Sequence, residues 1–147
     1  MIDTTSPRIA VLLPCFNEEA AIVRTVEGFR AALPGATIYV YDNNSSDRTV
    51  ELARGAGAEV RTERMQGKGN VVRRMFADVD ADVYIMADGD LTYDPAAAPA
   101  MVKLLLDDHR GRCRGIIGQI PVGHDVDVGI DVGEHPADDI ALALHPF

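Results

Sequence analysis

The apolar positions along the first two thirds of the chain follow two different patterns. Short continuous apolar runs, of which residues 8–14 are the clearest, are typical of strands that are buried in a parallel sheet. Between these runs, apolar residues recur at helical spacing, as Ile22, Val26 and Phe29 do, and this spacing predicts amphipathic helices. Strands and helices that alternate in this way predict βαβ units around a parallel sheet.

These patterns define a set of expected elements. The predicted strands span residues 8–14, 37–41, 58–62 and 82–87, and the predicted helices span residues 18–32, 47–54, 70–76 and about 97–106. Pro34 and Gly35 end the first helix, and Pro99 fits only the first turn of the last one. The fold class is therefore α/β, a three-layer sandwich with a mostly parallel sheet.

The pattern ends near His109, where the composition also changes. Residues 109–147 contain all four histidines, and residues 121–135 alternate Val, Asp and Gly with neither a helical nor a strand period. We therefore expect a binding domain over residues 1–108 and an irregular, divergent or truncated tail over residues 109–147.

Composition and charge exclude several classes of protein. With 147 residues, 47% of them hydrophobic and 25% charged, the chain suits one globular domain. A net charge of −9 disfavours binding of nucleic acid, and a phosphate ligand would need a cation or local basic groups. Residues 1–8 lack the apolar core of a signal peptide, and no run approaches the ~20 apolar residues of a membrane span. The expected location is the cytoplasm, with peripheral contact at the inner face of a membrane left open.

Polar or glycine-rich segments follow all of the predicted strands. They span residues 14–19, 42–47, 66–70 and 88–94, and ligands bind at this carboxyl edge of a parallel sheet. The first segment contains no glycine, which excludes a G-x-G-x-x-G dinucleotide site. Gly67-Lys68 is followed by Gly69 rather than Ser or Thr, so the third segment is not a P-loop.

The last of these segments begins with two carboxylates one residue apart, Asp88 and Asp90. Carboxylates on a turn at a strand end can both face a hard divalent cation such as Mg²⁺ or Mn²⁺, which shares its ligands with substrate phosphates. Gly89 between them lets the backbone bend. The alternative is a solvated acidic turn, but the position beside the other polar segments favours a metal site.

Four motifs occur in order along the chain: Pro14-Cys-Phe-Asn-Glu-Glu19, Tyr41-Asp-Asn-Asn-Ser-Ser-Asp47, Gln66-Gly-Lys-Gly69 and Asp88-Gly-Asp90. Together they resemble glycosyltransferase family 2, the inverting transferases with a GT-A fold and a Rossmann-like nucleotide-binding half. The branch that they resemble most is that of the polyprenyl-phosphate sugar synthases. The resemblance covers about residues 8–108, and the segment after residue 108 does not match the pattern of that family.

The resemblance implies a role for each motif. Asp42 would contact the base, and Glu18 or Glu19 would lie near the ribose. Lys68, on a loop made flexible by its flanking glycines, would reach the phosphates, and Asp88 with Asp90 would hold Mg²⁺ or Mn²⁺. The implied nucleotide-sugar-binding set is Pro14, Phe16, Asn17, Glu18, Asp42, Asn44, Lys68, Asp88 and Gly89. The donor would be a UDP- or GDP-linked sugar and the acceptor a polyprenyl phosphate or a glycan, while the general base stays unassigned.

Structural alternatives exist for several of these residues. Asp42 would serve equally well as a cap of the second helix, Asp47 is better interpreted as such a cap, and Glu18 or Glu19 would supply a charge in the first helical turn. Cys15 is interpreted as a packed residue rather than a nucleophile, since nothing near it in sequence would lower its pKa.

Three functions are consistent with the sequence. The first is a metal-dependent glycosyltransferase of this family. The second is a truncated, non-catalytic remnant that still binds nucleotide, which the change of composition near His109 suggests. The third is a sugar-nucleotide pyrophosphorylase, although its first turn would be rich in glycine and residues 14–19 are not.

Overall fold

A computed structural model describes residues 6–91, 94–108 and 115–117, with the backbone alone for Asp108 and for residues 115–117. Its centre is a parallel sheet with the strand order β3-β2-β1-β4-β5. The strands are β1 (Ile9–Cys15), β2 (Thr37–Asp42), β3 (Glu59–Thr62), β4 (Val83–Met86) and β5 (Gly115–Ile117). The helices are α1 (Ile22–Ala32), α2 (Thr49–Gly55), α3 (Lys68–Asp78) and α4 (Ala98–Asp108), and a 3₁₀ turn over Pro95–Ala97 precedes α4. The α/β class and the parallel sheet are confirmed.

The helices cover both faces of the sheet and make the three layers. The larger core lies between the sheet and α1, α2 and α4, where Phe29 and Leu13 are fully buried. The smaller core lies on the other face, where Met75 of α3 packs against strand residues such as Leu12. Burial of each such side chain contributes roughly 1.5–3 kcal/mol of stability.

Helices α1, α2 and α3 begin at residues other than those expected, α2 at Thr49 rather than at residue 47, and the starts of α1 and α3 matter most for the site. The first helix begins at Ile22 rather than at residue 18, because the Glu18 carbonyl accepts hydrogen bonds from the Ala21 and Ile22 N–H groups in a turn before it. The third helix begins at Lys68, two residues before the predicted start. Both differences change the placement of side chains at the carboxyl edge of the sheet.

The strand β5 lies in the segment that was expected to be irregular. It pairs parallel with β4, with Val83 opposite Gly115 and Ile85 opposite Ile117. The expectation of an irregular tail is therefore wrong at residues 115–117, while the other residues of 109–147 lie outside the described part. Within the described residues, no helix combines the length and the hydropathy that a membrane crossing requires.

The order of the strands determines where a ligand can bind. The chain runs outward from β1 through β2 to β3 and then returns to place β4 on the other side of β1. The carboxyl ends of β1 and β4 therefore lie at the point where the strand order reverses, and open α/β sheets bind ligands in the crevice outside this point.

Candidate functional site

The acidic turn, which comprises Asp88, Gly89 and Asp90, follows β4 and packs against the end of β1. The Ala87 N–H donates to the Leu12 carbonyl oxygen over 3.2 Å. This hydrogen bond extends the pairing of β4 with β1 to the residue before the turn. A Cβ atom at Gly89 would lie 2.5 Å from the Cys15 sulfur, so glycine is the residue that fits without a shift. The Cys15 side chain is 3% exposed, and burial raises the pKa of its thiol far above the usual range. Its interpretation as a packed residue is confirmed.

Lys68 and Asp88 form an ion pair at this edge. The Lys68 Nζ atom lies 2.7 Å from the Asp88 Oδ1 atom, and both side chains are partly exposed. Lys68 is the first residue of α3, so the expectation of a flexible loop at this position is wrong. Gly67 precedes the helix with φ of 123°, a conformation that favours glycine and sets the direction from which Lys68 enters the site.

The two glutamates after β1 face different neighbours. Burial raises the pKa of Glu18, and the negative charges of Asp90 and Asp88 raise it further, so this carboxylate lies within electrostatic reach of the acidic turn. The Glu19 carboxylate instead accepts the Arg48 N–H over 3.1 Å at the start of α2. The alternative that Glu18 or Glu19 supplies a charge in the first turn of α1 is wrong. All residues of α1 are described, and its first turn contains no acidic residue.

Asn17 connects the turns that follow β1 and β2. Its backbone has φ of 52°, its N–H donates to the Ser45 hydroxyl over 2.8 Å, and its side-chain oxygen accepts the Ser46 N–H over 2.8 Å. The neighbouring Phe16 side chain is 50% exposed, an unusual state for a large aromatic ring. Pro14 lies within β1 and pairs with Tyr41 of β2.

Asp42 is buried at the end of β2 and supports the turn that follows it. Its side chain is 4% exposed, and its two carboxylate oxygens lie 3.2 and 3.3 Å from the Ser45 nitrogen. The structure therefore gives Asp42 a turn-forming contact rather than a cap on α2. Asp47 does support the start of α2, because its Oδ1 atom accepts the Thr49 N–H over 2.9 Å.

Asn43 is a buried residue that connects β2 to the segment before α3, and the sequence does not predict this role. Its side-chain nitrogen donates to the carbonyl oxygens of Glu63 and Met65 over 2.8 and 2.9 Å. Its side-chain oxygen accepts the Gly67 N–H over 2.9 Å, which holds the segment that leads into Lys68. Nothing in the sequence distinguishes it from the adjacent Asn44, whose side chain also binds this segment, through the Arg64 carbonyl over 3.0 Å.

The carboxylates of this edge fit a divalent cation that shares its ligands with a substrate. Within the described residues, no group of three or more His, Cys, Asp or Glu side chains forms a complete metal cage. Asp88 and Asp90 carry carboxylate oxygens, which are hard donor atoms, and the Lys68 ammonium forms an ion pair with the carboxylate of Asp88. Two carboxylates with open positions are what Mg²⁺ and related ions use when phosphates complete the shell.

Comparison with known proteins identifies the family. The model described as glycosyl transferase family 2 matches residues 10–129. Protein RfbJ of Shigella flexneri is 54% identical over 98 residues, which cover 67% of this chain and 76% of that protein. The chain therefore belongs to glycosyl transferase family 2, which confirms the resemblance and favours a glycosyltransferase over a pyrophosphorylase. The expectation that the match ends near residue 108 is wrong, because the family model extends to residue 129.

More distant relatives have longer chains. The dolichol-phosphate mannosyltransferase of Pyrococcus furiosus is 27% identical over 105 residues, which cover 67% of this chain and 30% of that enzyme. The glucosyl-3-phosphoglycerate synthase of Mycobacterium tuberculosis was solved in complex with Mn²⁺, UDP and glucosyl-3-phosphoglycerate. It superposes with a TM-score of 0.62 at 28% identity over 69% of this chain and 40% of the synthase. The chain thus spans less than half the length of these two enzymes.

Proposed function

We propose that this chain binds a UDP- or GDP-linked sugar at the carboxyl edge of its sheet and transfers the sugar to a phosphate-bearing acceptor. The observation that carries the proposal is the contact between Lys68 and Asp88, which sets a cation beside the acidic turn at the point where the strand order reverses. Family membership supplies the reaction class, a glycosyl transfer.

The charges of the edge explain why a diphosphate would need both a metal ion and Lys68. Glu18, Asp88 and Asp90 carry negative charge there, and the raised pKa of Glu18 reports their mutual repulsion as well as its burial. A bare diphosphate would be repelled by these carboxylates. We propose that Asp88 and Asp90 hold Mg²⁺ or Mn²⁺ and that Lys68 donates a hydrogen bond to a phosphate oxygen. The Mn²⁺ and UDP bound to the mycobacterial synthase support this assignment.

The nucleoside would occupy the turns after β1 and β2. Asn17 and Asn44, both with positive φ, hold these turns in a fixed shape. Phe16 supplies an exposed aromatic face beside them, and such a face is a suitable stacking surface for a base. The Asp42 carboxylate oxygens retain further lone pairs beyond the Ser45 contact, so a hydrogen bond to the base remains part of the proposal.

In the proposed transfer, a phosphate oxygen of the acceptor forms a bond to the anomeric carbon of the sugar, and the bond between that carbon and the diphosphate breaks, with the electron pair leaving on the diphosphate. Asp88 and Asp90 would hold a metal ion that would offset charge on the departing diphosphate, and the Lys68 ammonium would stabilise the same charge by its hydrogen bond. A phosphate acceptor is already an anion and needs no general base. The names of both longer relatives contain a phosphate compound. We propose that the acceptor of the sugar is a polyprenyl phosphate at the inner face of a membrane.

Calorimetric titration of UDP and of GDP into the purified chain, with Mn²⁺, with Mg²⁺ and with excess chelator, tests the proposal. We expect one nucleotide to bind, and to bind more tightly with metal. Binding of neither nucleotide to a protein that circular dichroism shows to be folded would overturn the donor site. Binding that is equal with metal and with chelator would overturn the roles of Asp88 and Asp90.

A further inference from the structure

One side of α1 lies along the segment that joins β4 to α4. The Ile22 Cδ1 atom lies 3.5 Å from the position of a Cβ atom at Gly89, and the Thr25 hydroxyl oxygen lies 3.1 Å from the Gly89 carbonyl oxygen. One turn further along, a Cβ atom at Gly28 would lie 2.8 Å from the Pro95 Cγ atom. Because these three positions are spaced i, i+3 and i+6, they share a face of the helix.

The Thr25 hydroxyl is the polar group on this face. Its side chain is 1% exposed, and its oxygen lies 3.1 Å from both the Ala21 and the Gly89 carbonyl oxygens. The Ala21 carbonyl already accepts the Thr25 N–H of the helix over 3.0 Å. The hydroxyl has one proton, which the two carbonyls share. Its bond to Gly89 is therefore a tertiary contact that the helix itself does not require.

The Gly89 carbonyl belongs to the peptide that joins the two carboxylate-bearing halves of the turn. Rotation of that peptide would change the relative directions of the Asp88 and Asp90 side chains. Cys15 packs against Gly89 from the end of β1, and Thr25 holds its carbonyl from α1. The contact with Cys15 limits how closely the turn approaches β1, whereas the hydrogen bond from Thr25 fixes the rotation of the Gly89 peptide.

We propose that Thr25 is a positioning residue for the metal-bearing turn, an inference that rests on the proposed donor site. The hydroxyl fixes the orientation of the Gly89 peptide, so that both flanking carboxylates face one cation. Thr25 itself touches neither metal nor substrate. Preorganisation of a ligand set by such outer contacts commonly changes metal affinity severalfold or more.

Three variants on α1 test this role. Thr25→Val keeps the shape and removes the hydroxyl, Thr25→Ser restores the hydroxyl, and Val26→Ala makes a core cavity on the same helix as a control for destabilisation. For each variant, calorimetry gives the ratio of nucleotide affinity with Mn²⁺ to that with chelator. We expect the ratio to fall about fivefold or more in Thr25→Val, as the loss of one hydrogen bond would cause. The other two variants should keep the wild-type ratio.

Hydrogen exchange of a peptide that covers residues 87–91 provides a readout that needs no nucleotide. Exchange should be faster in Thr25→Val and unchanged in Val26→Ala. An unchanged affinity ratio or unchanged exchange in Thr25→Val would overturn the proposal, as would an equal fall of the ratio in Val26→Ala. If the wild-type chain binds no nucleotide, the proposed donor site fails. Faster hydrogen exchange in Thr25→Val would then still support the conclusion that Thr25 restrains the turn through the Gly89 carbonyl.

Discussion

The Cys15 sulfur lies 2.5 Å from the position that a Cβ atom on Gly89 would occupy. The end of β1 and the acidic turn after β4 are therefore in direct contact, with no room for one more carbon atom. Both residues belong to the motifs that the sequence analysis selected, but their contact explains the glycine better than backbone flexibility does. Gly89 is required because β1 supplies a side chain in the space beside it.

Gly89→Ala should destabilise the protein, and Cys15→Ala should relieve part of the effect. The extra carbon overpacks the contact, at a cost of about 1–3 kcal/mol. Replacement of the sulfur by hydrogen in Cys15→Ala opens the space. A double-mutant cycle measured by urea unfolding should give a favourable coupling on the order of 1 kcal/mol. Additive effects of the two substitutions would contradict the close contact.

Asp88→Asn and Asp90→Asn should remove the metal dependence of nucleotide binding and leave the fold intact. Each variant keeps its shape but loses the negative charge and one of the two donor oxygens, which weakens the attraction for a divalent cation. We expect the affinity with Mn²⁺ to fall to the value measured with chelator. Asp107→Asn, an exposed carboxylate of α4, is the matched control. If either variant retained the full effect of the metal, the assignment of that residue would be wrong.

Lys68→Met should weaken binding of the diphosphate far more than it changes stability. The ion pair with Asp88 is partly exposed, with side chains 52% and 28% accessible, and such pairs contribute about 0–1 kcal/mol. A hydrogen bond from an ammonium to a phosphate contributes about 1.5–3 kcal/mol, so the dissociation constant should rise roughly tenfold or more. Lys103→Met on α4 is the control. A rise that also appears with the nucleoside of the nucleotide that binds, uridine or guanosine, would show that Lys68 acts elsewhere than on the phosphates.

The sequence predicts the elements and the edge of the sheet that carries the site, because both depend on local patterns. It does not reveal Asn43 or Thr25, since each is a short polar residue whose tertiary partners lie 20 to 64 residues away. The strand at Gly115–Ile117 is equally hidden, because three residues are too few for a period and their pairing with β4 is a tertiary contact. The placement of Lys68 on a helix depends on Gly67, whose positive φ no local pattern specifies.

Asn43→Ala should destabilise the edge that leads into α3. The substitution leaves the Glu63 and Met65 carbonyls and the Gly67 N–H without the partner they have in the structure. Unsatisfied polar groups cost about 1–3 kcal/mol each when buried, and we expect a loss of about 2 kcal/mol because the carbonyls of Glu63 and Met65 lie in part-buried hydrogen bonds. Asn43→Asp keeps the acceptor for Gly67 but sets a buried carboxylate oxygen against the Glu63 and Met65 carbonyls, so it should destabilise the chain more than Asn43→Ala does. Wild-type stability of Asn43→Ala in urea would contradict the organising role.

Tyr41→Phe tests a hydrogen-bond network on the face of the sheet that α3 covers. The Tyr41 hydroxyl accepts a hydrogen bond from the Arg61 guanidinium over 3.2 Å and donates one to the Asp78 carboxylate over 3.3 Å. Removal of the hydroxyl should cost about 0.5–1.5 kcal/mol near neutral pH. The partners keep other contacts, since Arg61 also binds Glu59 and Asp78 also binds Arg74, so the cost should not exceed this range.

The same variant should alter the dependence of stability on alkaline pH. Burial raises the pKa of Tyr41 to about 12, although Arg61 opposes this, whereas an unfolded tyrosine titrates near 10. The folded state therefore holds the phenolic proton more tightly, so the contribution to stability is complete below about pH 10 and is lost as the pH rises towards 12. Urea unfolding of the wild type should show an extra loss on the order of 1–2 kcal/mol across this window relative to Tyr41→Phe. The other titrating groups are common to both proteins and cancel in the difference. Parallel pH profiles would show that the phenol titrates alike in the folded and unfolded chains and would contradict its burial in the smaller core.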